Sequence, residues 1–232
     1  MNNVLSMLEI DVMQFTELFE ASELCVKNGM PAMVVHPGLA ADALLHRLRV
    51  RGQYKIIIPI DWPKGDMAGI SKFRGVSKEA LEADGFEIAL NLSKTMSELR
   101  QEADLTTEFI RRHLGEFVEV RFVFSAFSNT EEEILKAAEA MSVIRMPAFI
   151  RNDTTLKIQH SKANPETHSS FQNTVKTHTA CPIKICGNIG SLKSTAACSN
   201  VSRFGVSLQQ AKTIIKEFTH QPSELMDILA DT

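Results

Sequence analysis

Short runs of β-branched and apolar residues alternate along this chain with longer segments in which apolar residues recur every three or four positions. The short runs are typical of strands that are covered on both faces, and the longer segments of amphipathic helices. The predicted strands are Leu8–Val12, Ala32–His36, Tyr54–Ile60, Phe86–Leu92, Val118–Phe124, Met146–Arg151, Pro182–Cys186 and Ser202–Ser207. The predicted helices are Phe15–Lys27, 39–48, Ser71–Asp84, a helix capped by Ser93 that runs to His113, a segment capped by Asn129 or Thr130, Glu166–Lys176 and Leu208–Phe218.

Eight strands, each followed by a helical segment, is the count of a closed parallel barrel. The sequence therefore predicts an α/β fold, a single (β/α)8 TIM barrel. No low-complexity linker interrupts the chain, so residues 1–232 are expected to form one domain, with the barrel over about 8–218 and a C-terminal tail over 219–232. The alternative is an open doubly wound sheet, which needs a Gly-rich phosphate turn after an early strand. The sequence has no such turn there.

Composition and charge narrow the class of function. Hydrophobic residues make up 44% of the chain, and the formal net charge of -3 provides no basic field for nucleic acid. No run of about 18 apolar residues is present, and the first residues lack the pattern of a secretory signal. The cysteines have neither zinc-site nor CxxC spacing, and they are Cys25, Cys181, Cys186 and Cys198. We expect a cytoplasmic protein with reduced thiols that uses no metal and no other cofactor.

Seven short motifs follow one another in an order that is similar to the order in the deoxyribose-phosphate aldolase family. They are Asp11 in the first strand, Met33–Pro37, Asp61–Gly65, Phe149–Arg151, Asn164–Glu166, Lys184–Ile189 and Arg203–Ser207. Their counterparts in the family are a Met-Asp-Leu strand, a strand ending in Tyr-Pro, Asn-Phe-Pro-His-Gly, Phe-Ile-Lys, Thr-Pro-Glu, Lys-Pro-Ala-Gly-Gly-Val and Arg-Phe-Gly-Ala-Ser. The resemblance covers roughly residues 8 to 218 and implies the same barrel.

The resemblance also implies a mechanism in which a lysine on the sixth strand forms an imine with the substrate carbonyl. A lysine on the seventh strand lowers the pKa of the first, and an aspartate on the fourth strand relays protons. At the first position this chain has Arg151, whose guanidinium stays protonated and cannot attack a carbonyl. The aspartate corresponds to Ala89, or to Asn91 after a small shift of register. Of these three residues, Lys184 alone matches the family.

Lys184 has three interpretations. It could be a relocated imine-forming lysine whose pKa is lowered by the cations Arg151 and Arg121. It could instead be held in the barrel interior by carboxylates such as Asp11, or act purely through its charge. Asp11 and Asp61 stand at or near the carboxyl ends of strands, where barrel active sites form, so either could transfer protons or simply neutralise nearby cations.

Two further sets of residues are candidates for binding an anion. Guanidinium groups grip phosphate or carboxylate with paired hydrogen bonds, so Arg151 and Arg121 suit an anionic ligand. The alternative is a structural ion pair of each arginine with Asp11, Asp153 or Glu119. Backbone N–H groups after the last two strands form the family's phosphate site, and its residues here are Gly187, Asn188, Gly205 and Ser207. Asn188 and Leu208 depart from the family's second glycine and second serine.

The histidines give weaker signals. His36 ends the second predicted strand and is a candidate acid–base group or a solvated loop residue. His160, His168 and His178 lack metal-ligand spacing.

Taken together, the residues favour a divergent aldolase-like carbon–carbon lyase acting on a small, anionic, phosphorylated aldehyde or sugar. A homo-oligomer is left open. The alternative is a barrel that has lost aldolase chemistry and binds an anionic metabolite or serves as a scaffold.

Overall fold

The computed structural model describes residues 4–60, 78–90, 94–115, 118–126, 152–160, 183–187 and 201–220. The strands are β1 Leu8–Val12, β2 Ala32–Val35, β3 Lys55–Ile60, β4 Gly85–Leu90, β5 Glu119–Ala126, β6 Asn152–His160, β7 Ile183–Gly187 and β8 Val201–Ser207. The described α-helices are α1 Phe15–Asn28, α2 Ala40–Val50, α3 Met96–His113 and α4 Leu208–His220. Single 3-10 turns cover Val4–Met7, Pro37–Leu39 and Ala80–Glu82.

The strands form a closed barrel in which every strand pairs in parallel with the next. β8 returns to β1, with Gly205 opposite Glu9 and Ser207 opposite Asp11, so the ring has no free edge. The predicted TIM barrel is confirmed.

Alternation along the strands divides the barrel wall into two faces. In β1, Leu8, Ile10 and Val12 are fully buried in the core between the strands and the surrounding helices, while Glu9 and Asp11 alternate with them. The opposite face carries a small apolar cluster of Ala32, Val34 and Ile57 in β2 and β3. Because successive side chains in a strand point to opposite faces, this second face lines the interior of the barrel, which we call the lumen.

The helices follow from the same pattern. The buried face of α1 includes Leu18, Ala21 and Cys25, which recur at helical spacing. α1 ends at Gly29, whose φ of 63° is a left-handed conformation that favours glycine. Burial, together with the charge of Glu9, raises the pKa of the Cys25 thiol to about 12, so this cysteine is an inert core residue.

The sixth strand was predicted in the wrong place. The sequence favoured the apolar run Met146–Arg151, but β6 is Asn152–His160 and pairs with β5 from Val120 to Ala126. Between Thr155 and Gln159, β6 alternates polar and apolar residues. This pattern is compatible with a strand whose one face lines a polar lumen. Residues 146–151 lie outside the described residues, so the position of Arg151 stays untested.

Two helix predictions also need correction. Of the predicted helix 71–84, the described part is a 3-10 turn at Ala80–Glu82 followed by the start of β4. The predicted cap Ser93 does not start α3. Thr95 caps it instead, because its hydroxyl accepts from the Glu98 N–H while the Glu98 carboxylate accepts from the Thr95 N–H. The predicted helix capped by Asn129 or Thr130 and the predicted helix 166–176 lie outside the described residues, as does the part of the C-terminal tail after residue 220.

Membrane insertion receives no support from the helices. Among the described segments, none combines the length and the apolar character that a transmembrane helix needs.

Candidate active site

Charged side chains lie in the lumen near the ends at which the strands begin. Arg121 of β5 donates to Glu119 on its own strand at 2.5 Å, to Glu9 of β1 at 2.9 Å and to Glu87 of β4 at 3.3 Å. Arg203 of β8 lies 3.6 Å from Glu9 and 3.5 Å from Glu119. We call these five residues the ion cluster. β1 and β5 stand on opposite sides of the ring, so the contact between Arg121 and Glu9 crosses the interior.

Most of the ion cluster is buried, although the side chain of Arg203 is 19% exposed. The side chain of Arg121 is 2% exposed, and its three carboxylate partners are buried as well. Lys55, the first residue of β3, is half exposed and donates to Glu119 at 2.6 Å. Because Lys55 and Glu119 begin their strands, the cluster forms the floor of the barrel, opposite the carboxyl ends where barrel active sites form.

Charge pairing controls the ionisation of the floor. Burial lowers the pKa of Arg121, but the carboxylates of Glu9, Glu119 and Glu87 outweigh it and hold that pKa above its ordinary value. Burial raises the pKa of Glu119, yet the charges and hydrogen bonds of Arg121 and Lys55 outweigh burial and lower it. Arg121 thus stays cationic and Glu119 stays anionic at neutral pH.

A pH dependence of stability follows from the lowered pKa of Glu119. This carboxylate stabilises the fold fully above the ordinary glutamate pKa of about 4.3, and the contribution is lost as the pH falls through the lower folded value. Glu119→Gln should therefore be destabilised at pH 7 and should lose less stability than the wild type between about pH 5 and pH 2. Urea unfolding at several pH values measures this difference, with the exposed Glu23→Gln as the matched control. Parallel pH profiles for Glu119→Gln and the wild type would contradict the assignment.

Asp11 and Ser207 meet at the opposite end of the lumen. They are Cα partners on β1 and β8, two residues beyond Glu9 and Gly205 toward the carboxyl ends of the strands. His36 follows β2 directly, and its N–H donates to the Val12 carbonyl at 3.0 Å. The residues at the mouth described so far therefore comprise a carboxylate, a hydroxyl and an imidazole on three adjacent segments.

β6 and β7 bring two lysines into register. Lys157 of β6 is the Cα partner of Lys184 of β7, and Lys184 is in turn the Cα partner of Arg203 of β8, beside a shift of register at Ile183 and Lys184. Lys157 went unnoticed in the sequence because the sixth strand was placed too early. The signal was present, since Thr155, Lys157 and Gln159 alternate with apolar residues as in a half-polar strand.

The first turn of α4 is capped from within the chain. The Ser207 N–H donates to Oε1 of Gln210 at 2.9 Å, and the Gln210 N–H donates to the Ser207 hydroxyl at 3.3 Å. This reciprocal pair is a capping box. The Ser207 N–H, which the resemblance assigned to phosphate, already has an acceptor in the Gln210 side chain.

Comparison with known proteins points to one fold. No protein-family model matches the sequence, and no curated protein matches it. Among solved structures, QR15, an aldolase, is 20% identical with a TM-score of 0.70, and the match covers 95% of this chain and 98% of that one. Deoxyribose phosphate aldolase from Aeropyrum pernix is 13% identical with a TM-score of 0.69, covering 94% of this chain and 91% of that one. This barrel has the deoxyribose-phosphate aldolase fold.

More distant aldolases share the barrel as well. The YdjI aldolase from Escherichia coli K12 is 9% identical with a TM-score of 0.55, and the match covers 96% of this chain and 84% of that one. At such identities the likeness concerns the fold, and the chemistry depends on the side chains of the site.

The predicted site residues lie at different levels of this aldolase-type barrel, some at the mouth and one in the floor. Asp11 and Ser207 come together at the mouth, and Gly205 lies in register between Glu9 and Cys186. Arg121 lies in the floor, and its hydrogen bonds go to carboxylates. This arrangement favours the structural ion pair over ligand binding. Glu119 is one of the partners that the sequence suggested. Gly187 ends β7 opposite His160.

Three predicted residues, Asp61, Arg151 and Asn188, lie outside the described residues, so the roles predicted for them stay predictions. Among the described residues, no group of three or more histidine, cysteine or acidic side chains has the arrangement of a metal site.

The fourth strand lacks a carboxylate at the position where the family has its relay aspartate. Ala89 lies in β4 opposite Val123, and Asn91 is outside the described residues. A carboxylate does exist two residues earlier, at Glu87, but it accepts from Arg121 in the floor.

Proposed function

We propose that the protein is a carbon–carbon lyase of the class I aldolase type. Its substrate would be a small phosphorylated aldehyde or sugar, held through an imine at Lys184. The observation that carries the proposal is the register of β6 and β7, in which Lys157 and Lys184 are Cα partners within an aldolase-type barrel. Because like charges that lie close together lower the pKa of a lysine, the proposal assigns Lys184 a neutral, nucleophilic amine.

In this proposal, Lys157 takes the role that the sequence suggested for Arg151, namely lowering the pKa of Lys184. The sequence suggested that arginines would lower the pKa of Lys184, but Arg121 is neutralised in the floor by three carboxylates. Arg203, at the paired position on β8, is likewise paired with Glu9 and Glu119, so the cation that remains one strand away from Lys184 in the proposal is Lys157. Local positive charge at Lys184 is therefore part of the proposal even without Arg151.

The proposed reaction balances with residues of this chain. The neutral Lys184 amine adds to the substrate carbonyl, and uptake of one proton from solvent with loss of water leaves a cationic imine, whose hydrolysis later returns that proton. The carbon–carbon bond then breaks, its electron pair forming an enamine, while the proton of the β-hydroxyl passes to Asp11 or Asp61. Protonation of the enamine carbon and addition of water release the second product and free the lysine.

The roles of the two lysines could be exchanged, because the resemblance assigns the imine to the sixth strand and Lys157 lies in β6. An anionic end for the substrate would use N–H groups near Gly187, Asn188, Gly205 and Ser207, after displacement of the Gln210 side chain. We also propose a homo-oligomer, as the Aeropyrum pernix neighbour is tetrameric.

Borohydride trapping tests the proposal. Wild-type protein is reduced in the presence of deoxyribose 5-phosphate or acetaldehyde, and peptide mass mapping locates the adduct. We expect the adduct on Lys184, no adduct in Lys184→Ala, and slower trapping in Lys157→Ala because the remaining amine is more fully protonated. Lys27→Ala, which removes an exposed lysine of α1, is the matched control and should label like the wild type.

The outcomes separate the hypotheses. An adduct on Lys157 exchanges the two roles but keeps the imine mechanism. Equal labelling of the wild type and the Lys157→Ala, Lys184→Ala double variant, or no labelling of either, rejects the mechanism. The alternative is then a barrel that binds an anionic metabolite, or acts as a scaffold, without aldolase chemistry.

A further inference from the structure

The imidazole of His36 is fixed by the backbone that follows it. The Gly38 N–H donates to Nδ1 of His36 at 3.1 Å, across the tight turn that Pro37 begins. A Cβ on residue 38 would stand 3.3 Å from Nδ1 and 3.5 Å from Cε1 of the ring. An alanine at residue 38 would therefore shift the ring by about a few tenths of an ångström.

This contact decides which ring nitrogen carries the proton. A nitrogen that accepts a hydrogen bond has no proton of its own, so the neutral ring carries its proton on Nε2. Protonation of Nδ1 would set two N–H groups against each other. In this tautomer, Nε2 is the ring nitrogen that can donate a hydrogen bond.

His36 directly follows the last residue of β2, at the end of the barrel that forms the mouth. His36 is exposed, and Nε2 lies on the far side of the ring from the backbone that holds Nδ1. Within the part of the chain that the structure describes, no residue accepts a hydrogen bond from Nε2. His36 N–H donates to Val12, the neighbour of Asp11, and Val34, two residues before His36, is the Cα partner of Asp11.

The geometry points to His36 as a hydrogen-bond donor whose Nε2–H binds the substrate oxygen at which negative charge develops when the carbon–carbon bond forms or breaks. This inference rests on the proposed lyase function and adds a residue to it. A preorganised N–H directed at a developing oxyanion stabilises the transition state more than the ground state. The β2 strand would thereby compensate in part for the carboxylate that β4 lacks at Ala89.

The chemistry assigned to His36 involves no net proton transfer. In the cleavage direction, Asp11 accepts the proton of the substrate β-hydroxyl while Nε2–H of His36 donates a hydrogen bond to the same oxygen. That oxygen becomes the carbonyl of the released aldehyde as the carbon–carbon bond breaks. The imine forms at a different carbon of the substrate, so its formation does not need His36.

The test combines spectroscopy with kinetics on the full chain. Nitrogen-15 NMR of the labelled protein should find the His36 proton on Nε2, with a signal that shifts when glyceraldehyde 3-phosphate is added. His36→Ala should lower kcat for cleavage of deoxyribose 5-phosphate by about 10²–10³-fold with a smaller change in KM, and leave imine trapping with acetaldehyde unchanged. His36→Gln, which keeps an N–H donor, should recover part of the loss.

Gly38→Ala and His113→Ala are the paired controls. Gly38→Ala leaves the imidazole in the chain and shifts it only slightly, so it should lose less activity than His36→Ala. His113, an exposed residue at the end of α3, should be replaceable by alanine without effect.

A proton on Nδ1 of His36, or an Nε2 signal that ignores glyceraldehyde 3-phosphate, overturns the assignment whatever the imine experiment gives. Loss of imine trapping in His36→Ala also overturns it, because the residue would then act before the carbon–carbon step. If the wild type traps no imine but the Nε2 signal shifts with the aldehyde, the lyase proposal fails and the binding role of His36 stands.

Discussion

Arg121→Ala is expected to lower the free energy of unfolding by about 3–5 kcal/mol, a large part of the stability of an ordinary domain. The substitution removes the cation shared by Glu9, Glu87 and Glu119 and leaves these three carboxylates buried in the floor of the barrel. An unpaired buried charge is costly because it has lost its hydration without gaining a partner. Arg203, at 3.5–3.6 Å from two of the carboxylates, cannot reproduce the hydrogen bonds of Arg121.

Urea unfolding of Arg121→Ala beside Arg112→Ala measures this effect. Arg112 pairs with Glu108 one turn earlier on α3, but their side chains are 70% and 53% exposed, so losing this pair should change stability by less than about 0.5 kcal/mol. Similar losses in the two variants would mean that the ion cluster contributes no more than a surface pair.

Asp11→Asn is expected to reduce the rate of carbon–carbon cleavage by about 10²–10⁴-fold, the usual contribution of a positioned acid–base group. Asp11 lies on β1 opposite Ser207, at the end of the lumen where barrel active sites form, and β4 has Ala89 where the family has its relay aspartate. The amide of asparagine keeps the shape of the side chain but cannot accept the hydroxyl proton.

Cleavage of deoxyribose 5-phosphate, followed through the release of acetaldehyde, measures the effect. The loss should appear in kcat, with imine trapping retained, because Asp11 acts after the imine has formed. Asp104→Asn, an exposed substitution on α3, provides the control. Turnover of Asp11→Asn within about threefold of the wild type would exclude it as the acid–base group and direct attention to Asp61.

The eight-stranded barrel was predictable because a strand that is buried on both faces has a nearly continuous apolar sequence. β3, for example, is almost continuously apolar between Lys55 and Ile60, and the structure begins it one residue after the predicted start. The position of the sixth strand was predicted wrongly for the opposite reason. Its alternation of threonine, lysine and glutamine with apolar residues is a weaker signal than the apolar run of residues 146–150, which also matched a family motif.

The candidate site was predictable only in part. Asp11 and Ser207 could be assigned to strand ends, and register then brings them together. The role of Arg121 could not be decided, because a lone arginine in a strand is equally compatible with a ligand and with an ion pair. Its partners Glu9 and Glu87 interrupt apolar strands, and charges in such positions are almost always paired, so the floor could have been anticipated from them.

The ion cluster has a consequence for how the chain reaches its native state. Arg121 and Glu9 are 112 residues apart in sequence, and Arg203 belongs to the last strand. The charges of the floor cannot all be neutralised until the first, fifth and eighth strands have assembled, so a half-formed ring would bury unbalanced charge. Ring closure is therefore expected to be cooperative and late, as contacts between distant segments form slowly. A fragment that ends before β8 would lack one cation of its own interior.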